Sequence, residues 1–244
     1  MEVVHPKFRP DPGLSRAEME ALQREIGHEA VFEDDLAPLP DSPLVVGVDQ
    51  AFPDEQAVSA IVAMRDGEVI ERTSAVTDLS IPYIPGLLSF REGESILAAF
   101  ETLECEPDLA LFDGSGRIHY REAGLATHMG VALDLPSVGV AKSLLCGRLS
   151  NPPEEPFAEG TRVPILANGR VEVEEGNVLG YAVQTRQYDG GSRYINPLYV
   201  SPGHRVGPET AAGLAEAHCA GYKLPEPIRR ADAYAGELAS EARQ

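Results

Sequence analysis

Three carboxylates and a lysine stand where a sheet protein does chemistry. Asp113 closes the short apolar run 109–112 and is followed at once by the glycine-rich Gly114-Ser115-Gly116. Such a run predicts a buried strand that breaks into a loop, and open α/β sheets place their chemistry at the carboxyl ends of strands. Asp49 repeats the pattern after the apolar run 44–48. Two carboxylates held close together repel unless a proton or a metal joins them, so a divalent cation is the natural third party. Hard oxygen donors favour magnesium, with manganese as the alternative. Glu92, at the expected opening of a helix, offers a third carboxylate, and Lys142, just past the strand 137–140, offers a compact charge for a phosphate oxygen. Three carboxylates around magnesium suit phosphodiester hydrolysis, because the metal lowers the pKa of bound water and neutralises the leaving oxygen.

Each of these residues has an ordinary structural use when taken alone. Aspartate is common in turns, and glutamate at a helix N-terminus is favoured by the macrodipole. The stronger argument is the pairing of Asp49 with Asp113. The segment GVAKS does not form a phosphate-binding loop, since G-x-x-x-x-G-K-[ST] needs glycine where the chain has Pro136 and Ala141. His119, His128 and His204 read individually as structural histidines. His204 is set apart by following a strand and the turn-like Pro202-Gly203, from which it could reach the site. Pro82 and Pro85 stiffen a loop tip carrying Tyr83 and Ile84, leaving both side chains outside any regular element. Stiff apolar or aromatic projections of this kind are inserted between bases to unstack a duplex.

The elements that must position these groups follow from local pattern. Ser15 and Glu18 form a capping box before a peripheral helix with apolar Met19, Leu22 and Ile26. A proline-rich acidic linker spans 32–43. Residues 57–64 and 68–76 read as strands joined by Asp66-Gly67, a strong hairpin signal, so the strand ending in Asp49 starts a three-strand antiparallel meander. A helix from Glu92 to about residue 103 then returns the chain. The strand ending in Asp113 can therefore lie parallel to and beside the first, with the two aspartates about 5 Å apart. Beyond it the pattern predicts a helix over 121–133, a hairpin over 161–174 turning at Asn168-Gly169, strands at 178–186 and 197–200, and a last clear helix near Pro208.

The 244 residues suit one domain, with residues 1–43 packed as helix and linker on a catalytic unit over 44–244. The net charge of -19 argues, by itself, against a nucleic-acid partner. A high-salt cytoplasm reconciles the two, because screening shortens the reach of surface charge to roughly 3 Å at 1 M. Three scattered cysteines without a CxxC pair indicate neither a disulfide framework nor a zinc site. With no leader-like segment and no long apolar run, the expectation is a cytoplasmic protein with no membrane contact and no obligate protein partner.

The stretches PYIPGLLSFRE, LFDGSGRIHYREAGLATHMGVALDLPSVGVAKSLLCG, SPGHRVGPETA and GYKLPEPIRRAD resemble the endonuclease V family, over about residues 44–234. The resemblance implies an α/β ribonuclease-H-like mixed sheet flanked by helices. It also implies metal-dependent hydrolysis at the second phosphodiester bond 3′ of a deaminated base, chiefly hypoxanthine in DNA. Asp49 and Asp113 match the metal-binding aspartates and Glu92 the catalytic glutamate. Pro82, Tyr83, Ile84 and Pro85 match the strand-separating wedge, and Lys142 and His204 match polar residues near the scissile phosphate. Gly114 and Gly116 would let backbone approach a flipped base. The family usually reads DGHG where this chain has Asp113-Gly114-Ser115-Gly116, and serine can hydrogen-bond but cannot act as an imidazole. The alternatives are the same chemistry on inosine-containing RNA, a non-catalytic lesion-binding module, and a small-molecule phosphohydrolase.

Overall fold

The structure, a computed structural model, describes residues 1–36, 39–154, 156–188 and 193–242. Past a single turn at Pro6–Phe8, α1 (Arg16–Glu29) opens on the expected capping box: the Ser15 hydroxyl accepts from the Glu18 N–H and the Glu18 carboxylate from the Ser15 N–H. β1 (Val45–Ala51), β2 (Gln56–Arg65) and β3 (Glu68–Asp78) form the antiparallel meander, with Asp66 and Gly67 at positive φ in its second turn. α2 (Leu88–Glu101) carries the chain back so that β4 (Leu109–Asp113) lies parallel to β1. α3 (Leu125–Leu133) does the same for β5 (Ser137–Ala141), parallel to β4. β6 (Arg148–Leu149), β7 (Arg162–Leu166), β8 (Val178–Val183) and β9 (Leu198–His204) complete one mixed sheet in the order β3-β2-β1-β4-β5-β9-β8-β7-β6. α4 (Pro208–Ala217) and α5 (Glu226–Glu241) follow. None of the described helices is long and apolar enough to cross a membrane.

The central strands are buried on both faces, which is why they read as unbroken apolar runs. Val46, Val48 and Phe112 pack on one face with Phe100 of α2 and Met129 of α3. Val45, Leu109 and Leu111 pack on the other with Ala211 and Ala215 of α4 and Ile228 of α5. The linker is used as well: the Asp34 carboxylate accepts from the Gly207 N–H and the Thr210 hydroxyl, both at 2.7 Å, and so caps α4. Residues 37 and 38 of that linker lie outside the described ones.

Several local expectations are corrected. α2 begins a turn before Glu92, so Glu92 is a buried mid-helix residue rather than a helix opener. α3 starts only at Leu125, because Gly124 must approach the loop after β4 backbone to backbone: a side chain there would lie 2.3 Å from the Ser115 carbonyl oxygen. The Asn168-Gly169 turn lies in the loop between β7 and β8, and its second arm is no strand, since β7 pairs with β8 instead. Pro202 and Gly203 form no turn either. They lie inside β9, where Gly203 supplies a register shift against β5 and lets the α3 backbone come close.

A helix was also missed. The proline pair in Leu224-Pro225-Glu226-Pro227 suggests a loop, yet proline is at home in the first turn of a helix, and here it starts α5. The buried face of α5 is mostly alanine (Ala231, Ala235 and Ala239), which gives a weak apolar signal. Small residues let the helix lie directly on β1, where Gly47 has no side chain to hold it off.

Candidate active site

The parallel register of β1 and β4 sets Val48 opposite Phe112, so Asp49 and Asp113 occupy the next rung of neighbouring strands. Their side chains alternate with Val48 and Phe112, and both therefore emerge on the face covered by α5. Asp113 in turn pairs with Val140 of β5, and Lys142 follows two residues on, on the same face. Its Nζ donates to Asp113 Oδ2 at 2.5 Å. Three strand ends thus deliver two carboxylates and an ammonium to one point.

Burial makes this cluster tense. Asp49 is 7% exposed, and burial together with the Asp113 charge pushes its carboxyl up to about 8, against the opposing pull of the Gln50 N–H and Lys142. Glu92 is pushed up to about 7 by burial, with Asp113 adding to the rise and Arg91, 3.4 Å away, resisting it. For Lys142 burial works downward, but the bond to Asp113 outweighs it and the ammonium is held more tightly than usual. Such a set is short of positive charge. Among the described residues no three His, Cys, Asp or Glu side chains already enclose a point. Even so, two adjacent carboxylates, one buried and one partly buried, that resist being charged together, with hard oxygens only, are the donor set that a magnesium or manganese ion relieves.

A further carboxylate emerged only from the structure. Asp232 of α5 follows the buried Ile228 by one helical turn, and its side chain reaches Asp49, adding to the upward pressure on that carboxyl, and lies within reach of the Lys142 charge. The available signal was an aspartate in the quoted GYKLPEPIRRAD stretch, but without α5 it had no place in the fold.

Beside Asp113 lies a cavity of about 270 Å³ whose walls include Tyr83, Gly86, Gly114, Ser115, Gly124 and Lys142. It falls just below the range of about 300–1,000 Å³ typical of small-ligand sites, a size suited to one planar base. Tyr83 is 64% exposed at its mouth, with Pro82 and Pro85 also exposed. Ile84, in contrast, is no projection: it packs with Met19 of α1 and with Leu87 and Phe90, anchoring the tip. Gly86, at positive φ, forms the tip's hinge, and its carbonyl accepts from both Gln23 Nε2 at 2.8 Å and His119 Nε2 at 3.0 Å. His119 Nδ1 accepts from the Arg121 N–H, so the ring is neutral with its proton on Nε2, and burial keeps its pKa down to about 4. The first helix is therefore not peripheral in effect, because Gln23 ties it to the wedge.

Other candidates are placed elsewhere. His204 lies at the end of β9, opposite Ser137 at the start of β5, and thus at the opposite end of these strands from Asp113 and Lys142. There Nδ1 accepts from the Val31 N–H and Nε2 meets Asp134, which Arg205 also holds. Gly116 packs against β9 and is not among the walls of this cavity; a side chain on it would strike the Pro202 carbonyl at 2.2 Å, and its N–H is bonded to the Ser201 hydroxyl. His128 is fully buried between the Ser89 hydroxyl and the Phe8 carbonyl and is structural.

The family model described as Endonuclease V matches residues 24–233. Endonuclease V of Haloarcula marismortui is 56% identical over 260 aligned positions, covering 96% of each chain. That of Natronomonas pharaonis is 55% identical over 243, covering 98% of this chain and 97% of the other. In three dimensions the chain is similar to the crystal structure of Endonuclease V from Streptomyces avermitilis, with a TM-score of 0.81, 34% identity and full coverage of both chains. It is also similar to Endonuclease V of Ciona intestinalis in complex with a 24mer DNA containing an inosine followed by a ribo-adenosine, with a TM-score of 0.76 and 26% identity over 93% of this chain and 98% of that one.

Proposed function

The chain belongs to the endonuclease V family and is on that ground a nucleic-acid hydrolase, and we propose that it cuts DNA at the second phosphodiester bond 3′ of a deaminated base, hypoxanthine foremost. The observation that carries this reading is the pair Asp49 and Asp113 on adjacent parallel strands, with Asp113 lining a base-sized cavity that also carries the exposed Tyr83. The Ciona intestinalis relative's inosine-containing DNA supports the same substrate class.

Asp49 and Asp113 would hold a divalent ion, with Glu92 and Asp232 as further oxygen donors close by. When bound, such an ion makes a nucleophile of water at neutral pH and neutralises the leaving oxygen. Lys142, anchored on Asp113, orients a phosphate oxygen as a point charge. Glu92, held near neutrality of charge by its burial, is poised to accept a proton from the attacking water. Gly114 and the Ser115 hydroxyl present polar groups to the Watson–Crick edge of an extruded base, while Tyr83 fills the space it leaves.

The decisive assay offers a single-inosine duplex, its undamaged counterpart and the matching inosine RNA strand, each with magnesium, over a range of salt. Cutting at one site 3′ of inosine in DNA is expected; a preference for RNA, or cutting at random, would overturn the substrate assignment.

Protons and metal compete for the same oxygens, and this fixes a pH dependence. Asp49 and Glu92 titrate near 8 and 7 in the folded chain, against about 4 when unfolded. The folded state thus binds more protons at these two groups across that interval, so their contribution to metal-free stability is greatest below about pH 4 and falls as pH rises toward 8. Magnesium offsets the loss. Melting curves from pH 5.5 to 9 should show a magnesium-induced rise that grows with pH; a rise of constant size would contradict a shared carboxylate site.

A further inference from the structure

Lys142 lines a second cavity, of about 260 Å³, with Tyr222, Lys223, Leu224 and Arg229. Three cations around one groove are out of keeping with a chain of net charge -19. Because Lys142 also lines the cavity holding Tyr83 and Asp113, it is the wall that the two share, and Asp113, bonded to Lys142, sits beside that wall.

The groove's parts divide their work. The Arg229 guanidinium is held by Glu226 at 2.6 Å and lies 4.5 Å from the centre of the Tyr222 ring, so its charge is balanced locally and it steadies the ring. Tyr222 is nevertheless 56% exposed. Lys223 has no carboxylate partner among the described residues, and burial together with the Lys142 charge holds its ammonium below the ordinary value. Its backbone is fixed, with the carbonyl accepting from the Thr185 hydroxyl at 2.6 Å. Two like charges held near one another beside an open aromatic ring want an anion between them and a flat partner on the ring. A nucleotide supplies both.

We propose that this groove seats the nucleic-acid strand on the far side of the cut, with a backbone phosphate between Lys142 and Lys223 and a base stacked on Tyr222. This rests on reading the neighbouring site as a nuclease centre acting 3′ of the lesion; the groove then takes nucleotides 3′ of the scissile bond. It also shows how so acidic a protein can hold a polyanion, since the attraction is confined to a short strip and survives where surface charge is screened.

The chain contains no tryptophan, so Tyr222→Trp creates a single indole reporter. Two inosine-containing single strands serve as probes in EDTA, one ending at the scissile position and one running four nucleotides beyond it. The longer strand should quench the indole and bind about tenfold more tightly than the shorter one, the worth of one stacked base. Tyr222→Ala should erase that advantage. Lys223→Gln should lower the salt dependence of binding the longer strand by about one charge and leave the shorter one unaffected. Equal quenching by both lengths, binding of the longer strand without quenching, or an unchanged salt slope in Lys223→Gln would overturn the groove. These outcomes are separate from the cleavage assay on the unmodified chain: specific cutting with no length effect sinks the groove alone, and failure to cut inosine strands sinks the reading beneath it.

Discussion

Asp49→Asn is expected to lower cleavage of inosine-containing DNA by at least about 10³-fold while raising the melting temperature of the metal-free protein above pH 8. The two effects share one cause. Asp49 is nearly fully buried beside Asp113 and faces Asp232, so its charge is opposed by burial and by its neighbours at once. Asparagine keeps the oxygen that accepts the Gln50 N–H at 2.7 Å, fills the same space, and offers a donor to Asp232. The metal-free fold loses the repulsion from Asp113 and the cost of burying a charge, which together outweigh the lost attraction to Lys142. The reaction, however, loses half of the paired carboxylates that would hold the cation. Losing a single preorganised electrostatic contact to a transition state already costs about 10²–10³ in rate, and losing the means of activating water costs more. Paired measurements of single-turnover rate and thermal melting at pH 8.5 decide the matter. Cleavage within tenfold of the parent chain would remove Asp49 from the site, and a lower melting temperature would show that the buried charge is not under strain.

The second large effect is expected far from any titratable group. Gly47→Ala should reduce stability by about 3 kcal/mol, the upper end of the usual cost of overpacking, and so lower the melting temperature by roughly 6–12 °C. A Cβ on Gly47 would lie 2.0 Å from the carbonyl carbon of Pro227 and 2.4 Å from the Ile228 nitrogen, all backbone, with no side chain able to turn aside. α5 must therefore lift from β1, and Asp232 lifts with it. Activity measured well below the melting temperature should fall too, which a purely local packing defect would not produce. Gly236→Ala on the same helix is the control, since nothing lies within 4 Å of the added methyl and helix propensity favours alanine by up to about 1 kcal/mol. Equal melting for the two variants would refute the close contact of α5 with β1.

The difference between what was legible beforehand and what was not has a physical pattern. Strands buried on both faces announce themselves as apolar runs, so Asp113 at the end of its strand follows from local sequence alone, and Asp49 is misplaced by only two residues because β1 continues to Ala51 against β2. The Asp66-Gly67 turn and the capping box at Ser15 are equally local, since each satisfies its own backbone within four residues. α5 was hidden because its contact surface is alanine against glycine, where close approach of backbones replaces the bulky side chains that make a helix visible. Gln23 was hidden for a related reason: a lone polar residue on an apolar helix face shows its purpose only when the Gly86 carbonyl stands opposite.

His204 and Asp232 mark the limit most sharply. Both are polar residues in motif-like stretches, and sequence assigned the first to the site and passed over the second. The chain by itself determined which strands end in carboxylates, which loop is stiffened by prolines, and that the surface is acidic. Strand direction and helix docking decided which of those ends meet. β9 runs antiparallel to β5, so its terminal His204 is carried to the end of β5 opposite Lys142. α5 lies across β1 at Gly47 and brings Asp232 to Asp49. Neither relation is local, because each depends on contacts between segments more than fifty residues apart.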